Sequence, residues 1–190
     1  LLGVWNTNFL GRSGHVIAAY AQRLEMFVPY LQQLEMESNG KGVNRAGEAI
    51  TYDTAPLIFG AVGTNAQHAY FQRLHQAHNW QPVDFILPLS SQADADAHQA
   101  VMANCFAQQQ ALAFGNASSQ VPLYQQCPGN RPSSLITIPQ LDAYHLGALI
   151  AAYEHKVFVQ SVIWDVNPFD QWGVELGKQI ARTMLQTSPL

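Results

Sequence analysis

Five side chains combine the types and spacings that proton transfer and polar recognition need: Gln33, Glu37, His68, Gln171 and Lys178. Gln171 and Lys178 stand seven residues apart, two helical turns, so on one helix both point the same way. Trp172, Leu176, Ile180 and Thr183 then fall on the opposite side and are expected to pack. An ammonium and an amide presented together from a rigid element suit a polyhydroxylated or anionic ligand. Gln33 and Glu37 are i,i+4 partners on one helix face, opposite Leu24 and Val28, with Gly40 as the helix stop. His68 is expected in the first or second turn of its helix, where the positive end of the dipole favours a neutral, proton-shuttling imidazole. Pattern alone also admits blander readings. The faces carrying Gln171, Glu175, Lys178 and Arg182, or Glu25, Glu35 and Glu37, are equally consistent with solvated helix surfaces, and His68 with a backbone-bonded histidine.

Short apolar runs alternate with longer helical patterns. Residues 15–20, 57–62, 83–88 and 134–138 read as strands. A helix is expected over about 22–37, with Pro29 kinking or starting it. Thr64-Asn65-Ala66-Gln67 has the form of a capping box opening a helix through about Ala77. A third helix is expected over about 93–114 and two more at the C-terminus, with a surface loop over 116–130. Strands separated by helices imply crossovers and an α/β fold of three layers, a mostly parallel sheet flanked by helices.

The 190 residues fit one domain with a substantial core, and 48% apolar against 12% charged residues argues for a compact globule. A net charge of −4 opposes general nucleic-acid binding but not a phosphorylated ligand, which local donors can hold. Cys105 and Cys127 show no paired-motif spacing, so free thiols in a reducing compartment are expected. No apolar run approaches the roughly 18 residues of a membrane span. His75 and His78 could form half of a metal site, but no Cys or acidic partner stands at a matching spacing nearby. Gly129-Asn130-Arg131-Pro132-Ser133 reads as a turn before a strand, with Arg131 tying loops together.

Several segments carry a family likeness. Met36-Glu37-Ser38-Asn39-Gly40-Lys41, Gly63-Thr64-Asn65-Ala66-Gln67-His68, the run His145 to Gln160, and Phe169 to Lys178 resemble the glucose-6-phosphate isomerase (phosphoglucose isomerase) family. The likeness covers almost the whole chain and corresponds only to the C-terminal part of a full isomerase. It implies a sugar-isomerase (SIS) domain over 1–190 of a longer two-domain enzyme whose N-terminal domain is absent. It also implies hexose 6-phosphate as substrate, a cytoplasmic location, and no metal or organic cofactor. Glu37 would be the base that moves a proton between C1 and C2 through a cis-enediol(ate). Gln33 and Gln171 would position substrate, and His68 and Lys178 would act in ring opening. His68 would reach the site across a homodimer interface.

Some features depart from the family. Gly60-Ala61-Val62 stands where Gly-Glu-Pro is usual, and Ala66 where Gly is common. The Gly-Gly-Arg motif, whose arginine would stabilise the enediolate charge, has no counterpart in Leu10-Gly11-Arg12-Ser13. The alternative is a non-catalytic sugar-phosphate-binding or dimerisation module, since SIS domains also serve as sensors.

Overall fold

The structure, a computed structural model, describes residues 1–91, 94–118 and 120–187. Four apolar runs form one parallel sheet: β1 (Gly14–Ala19), β2 (Leu57–Val62), β3 (Val83–Ser90) and β4 (Ser133–Gln140), in the order β2-β1-β3-β4. Every residue of β1 is buried, which explains its unbroken apolar run: a strand covered on both faces has no reason to alternate. At Gly60 a Cβ would lie 2.0 Å from the carbonyl oxygen of Ile17 on the neighbouring strand, so no side chain fits there.

The helices are α1 (Leu2–Val4), α2 (Phe27–Gln32), α3 (Gly63–Gln67), α4 (Phe71–Gln76), α5 (Ala95–Phe114), α6 (Ala143–Ile163) and α7 (Glu175–Thr187). Helices α3, α4 and α5 cover one sheet face, where Phe71, Leu74, Cys105 and Leu112 meet Val16, Ala18 and Phe85. Helices α2 and α6 cover the other, where Phe27, Val28, Leu31, Leu149 and Tyr153 meet Ile17, Ala19 and Ile86. Each Val, Leu, Ile or Phe among them contributes about 1.5–3 kcal/mol on burial, so these two cores fix the layer order. The fold is the three-layer α/β arrangement expected. Cys105 and Cys127 are free thiols.

Several helix boundaries differ from the sequence expectation. Residues 22–37 are not one helix: a 3-10 turn over Gln22–Leu24 precedes α2, and a π-helical turn over Gln33–Glu37 follows it. Pro29 sits in the first turn of α2, where its missing N–H costs no intrahelical bond, so it starts the helix and does not kink it. The capping box is absent. Val62 occupies the cap position without a side-chain bond, and the Gln67 amide donates to the Tyr20 hydroxyl at 2.8 Å instead. The stretch 64–77 is broken between α3 and α4 by a turn over 68–70. True side-chain caps occur at α5 and α6, where Asp94 accepts from the Ala97 N–H and Asp142 from the His145 N–H. Hydrogen bonds from the His145 N–H, the Gln140 amide and the His145 ring hold the Asp142 carboxyl down at about 2.

The turn before β4 is as read. Gly129 and Asn130 have φ of 70° and 52°, and the Arg131 guanidinium donates to the Ala77 carbonyl at 2.7 Å, joining the end of α4 to β4. The expected loop over 116–130 holds a short 3-10 turn at Leu123–Gln125; Ser119 within it, and Ala93 at the expected start of α5, lie outside the described residues.

A buried polar set joins sheet to helix. The His15 ring lies 3.0 Å from Asp84 on β3, and the Tyr153 hydroxyl of α6 donates to the same carboxylate at 2.9 Å. Burial alone would raise the Asp84 carboxyl, but the charge and hydrogen bond of His15, the Tyr153 bond and the charge of Lys156 outweigh it and hold the group below its ordinary value. A carboxyl depressed on folding contributes stability above the unfolded value, and that contribution is lost as pH falls through the folded one. Urea midpoints should therefore fall on acidification below about pH 4, and Asp84→Asn should flatten that part of the profile.

Candidate active site

The wall that carries Gln33 and Glu37 is anchored from behind. In the π-helical turn Gln33–Glu37, Glu35 points inward, is buried, and forms an ion pair and hydrogen bond with Lys156 of α6. Asn39 is fully buried and donates to the Val157 carbonyl at 3.0 Å. Two anchors on α6 thus turn Gln33 and Glu37 outward; both are exposed. π-turns are uncommon and cluster at functional sites, because the extra residue re-aims the side chains around it. Gly40 follows this helix without left-handed backbone, and no side chain fits there: a Cβ would lie 2.4 Å from the Met36 carbonyl oxygen.

The opposing wall departs from the sequence reading. Gln171 and Lys178 do not share a helix: Gln171 has φ −138° and ψ 51°, a 3-10 turn spans Trp172–Val174, and α7 begins only at Glu175. Trp172, Leu176 and Ile180 are exposed large apolar side chains, so the expected packing is not observed; Thr183 is exposed too, its hydroxyl donating to the Gln179 carbonyl at 3.1 Å. An amphipathic stripe needs a surface to pack on, and this one finds none within the described residues.

The two walls nevertheless enclose one cleft of about 680 Å³ lined by Gln33, Glu37, Gln171 and Lys178. Four of the five candidates therefore converge. Tyr30 and Glu154 share the lining without having been singled out from sequence, and Trp172, expected to pack on the opposite side, lines the cleft as well. Tyr30 was accessible to that reasoning, since it precedes Gln33 by three residues on the same face. Its hydroxyl donates to Glu154 at 3.1 Å, and burial, then that bond and charge, push its pKa up, so it remains a donor. The Lys178 ammonium donates to Glu175 at 2.6 Å within its own helix. The cleft can hold a ligand between a carboxylate and an amide on one side and an amide and an ammonium on the other.

His68 is elsewhere. It lies at the carboxyl end of the five-residue α3, exposed, and outside the lining of this cleft. The placement near a helix amino end, and the dipole argument built on it, do not hold. His75 bonds Gln108 at 2.7 Å, and no group of three or more potential metal ligands occurs among the described residues.

A parallel sheet covered on both faces, with a carboxylate-bearing polar cleft outside its α2–α6 layer, defines a three-layer α/β domain with a site for a polar ligand. The phosphoglucose isomerase family profile matches residues 1–189, and the chain belongs to that family. Glucose-6-phosphate isomerases of Acinetobacter baumannii and Hahella chejuensis are each 49% identical over 203 residues, covering 97% of this chain and 36% of their own length. The crystal structure of a glucose-6-phosphate isomerase from Chlamydia trachomatis superposes with a TM-score of 0.91 at 41% identity, covering 99% of this chain and 38% of that one. A hypothetical protein from Thermus thermophilus shares the fold, with a TM-score of 0.73 at 23% identity over 92% of this chain and 42% of that one. The chain thus spans little more than a third of the length of the relatives it matches. No described helix is long and apolar enough to cross a membrane.

Proposed function

We propose that this chain is the C-terminal sugar-isomerase domain of a two-domain enzyme interconverting glucose 6-phosphate and fructose 6-phosphate. The observation that carries the proposal is the convergence of Gln33, Glu37, Gln171 and Lys178 on one cleft in a chain of this family. Aldose–ketose isomerisation needs one base above the plane of C1 and C2, which takes the proton from C2 and returns it at C1. Glu37 fills that role. It stands on a turn anchored twice to α6, so its carboxylate meets the sugar from a set position. Gln33 and Gln171 bind substrate hydroxyls from opposite walls. Lys178 and His68 serve the ring oxygen during opening, with His68 supplied by the second subunit of a homodimer in the cytoplasm. The exposure of His68 and its place outside the lining of the cleft support delivery from a partner.

In this reading the sugar phosphate group and the enediolate charge are held by a second domain. The 190-residue chain alone should therefore yield little or no fructose 6-phosphate from glucose 6-phosphate in a coupled assay. Robust turnover would refute the two-domain reading. In NMR titrations of the same chain, fructose 6-phosphate should shift the amides of Gln33, Glu37, Gln171 and Lys178 as a group. Shifts confined to other surfaces would overturn the assignment of the cleft.

A further inference from the structure

We infer that Lys41 is a positioning residue, fixing the carboxylate wall of the cleft against its amide wall. The inference rests on the reading that this cleft takes a hexose 6-phosphate. The Lys41 ammonium has three protons to donate, and three acceptors surround it. It donates to the Glu37 carbonyl oxygen at 2.9 Å and to the Asp170 carbonyl oxygen, and pairs with the Asp170 carboxylate at 3.3 Å. One end of this bridge is thus the backbone of Glu37. The other is the backbone of the residue preceding Gln171. Only 12% of the Lys41 side chain is exposed, so its charge is shielded from water and depends on these partners.

Lys41 also borders an open space between the walls. A second cavity, of about 450 Å³, lies between the same two segments, bounded by Met36, Glu37 and Lys41 on one side and by Asp170, Gln171 and Trp172 on the other. Beside that cavity the ammonium joins the two walls. Around Asp170 the chain is irregular: the Asn167 amide bonds the other carboxylate oxygen at 2.8 Å, and Gln171 is non-helical. Beside the Phe169 ring contact with Phe158 of α6, centroids 6.4 Å apart, Lys41 is the charged tie that places this irregular segment against Glu37. With its donors used, Lys41 is no cation for the substrate. It sets the gap that the substrate must span.

The test compares the 190-residue chain with Lys41→Met, which keeps the length of the stem and removes the charge, and with Lys41→Arg. In the absence of ligand, amide hydrogen exchange over residues 170–174 should quicken by about tenfold or more in Lys41→Met, while β1 and α6 stay protected. Fructose 6-phosphate, followed by NMR titration, should bind that variant at least about fivefold more weakly. Lys41→Arg should recover part of both losses, which a loss due only to misfolding would not show. Asp170→Asn, which keeps the carbonyl acceptor, should act in the same direction but less strongly. Unchanged exchange at 170–174 would overturn the clamp whatever the ligand does. Faster exchange with unaltered affinity would overturn its role in positioning. Faster exchange in a chain whose wild type binds no fructose 6-phosphate at the cleft would uphold the clamp and overturn the ligand assignment.

Discussion

Replacing Lys156 with methionine is expected to destabilise the domain by about 3 kcal/mol, the lower end of the cost of breaking a buried ion pair. The lower end applies because 22% of the lysine side chain reaches water while its partner Glu35 is only 2% exposed. The substitution leaves the Glu35 carboxylate buried, with Oε1 already lacking a partner among the described residues. It also removes a positive charge that helps hold Asp84 ionised. Against a total stability of about 5–15 kcal/mol this is a large fraction. Urea denaturation should show the midpoint drop with the slope retained. The double variant Glu35→Met with Lys156→Met should regain most of the loss, because a well-packed apolar pair carries no desolvation cost. A single-variant loss below about 0.5 kcal/mol would mean that the pair is solvated after all.

Glu37→Gln, made in a full-length isomerase carrying this sequence, is expected to lower kcat by at least about 10²–10⁴-fold while KM changes little. Glutamine keeps the size and hydrogen bonding of the side chain but cannot accept and return a proton at carbon. Exchange of the C2 hydrogen with solvent deuterium should disappear together with turnover. Because Glu37 is exposed and its anchors are the neighbouring Glu35 and Asn39, the thermal midpoint should stay where it was. Lost turnover with substrate binding retained supports the proton-transfer role. Unchanged turnover would remove it and favour the non-catalytic sugar-phosphate-binding module.

The sheet was legible because buried parallel strands announce themselves. The runs at 15–20, 57–62, 83–88 and 134–138 fall within two residues of the observed strand ends. Helix interiors were legible too, but not their punctuation. The Thr64–Gln67 box failed because Gln67 finds a better partner in Tyr20, forty-seven residues away, than in a backbone N–H. The π-turn at 33–37 follows from Glu35 meeting a lysine 121 residues later, a contact that no local pattern encodes. In the cleft, the residue types were readable and the geometry was not. Gln171 and Lys178 do share a cleft, though a turn followed by a helix start brings them there, where helical spacing would have needed one continuous helix. His68 shows the same limit: a proton-shuttling role was an expectation from its residue type, and the turn that ends α3 and sets its place was not legible.

Lys178 rides on α7, and two apolar side chains of that helix, Leu176 and Ile180, are exposed. Glu37, by contrast, is bolted down by its own domain. In the proposed reading the base is set in place as soon as the chain folds, whereas the ammonium rides on a helix whose apolar side is still to be covered. On that reading, covering this side of α7 would couple the placing of the ammonium to assembly.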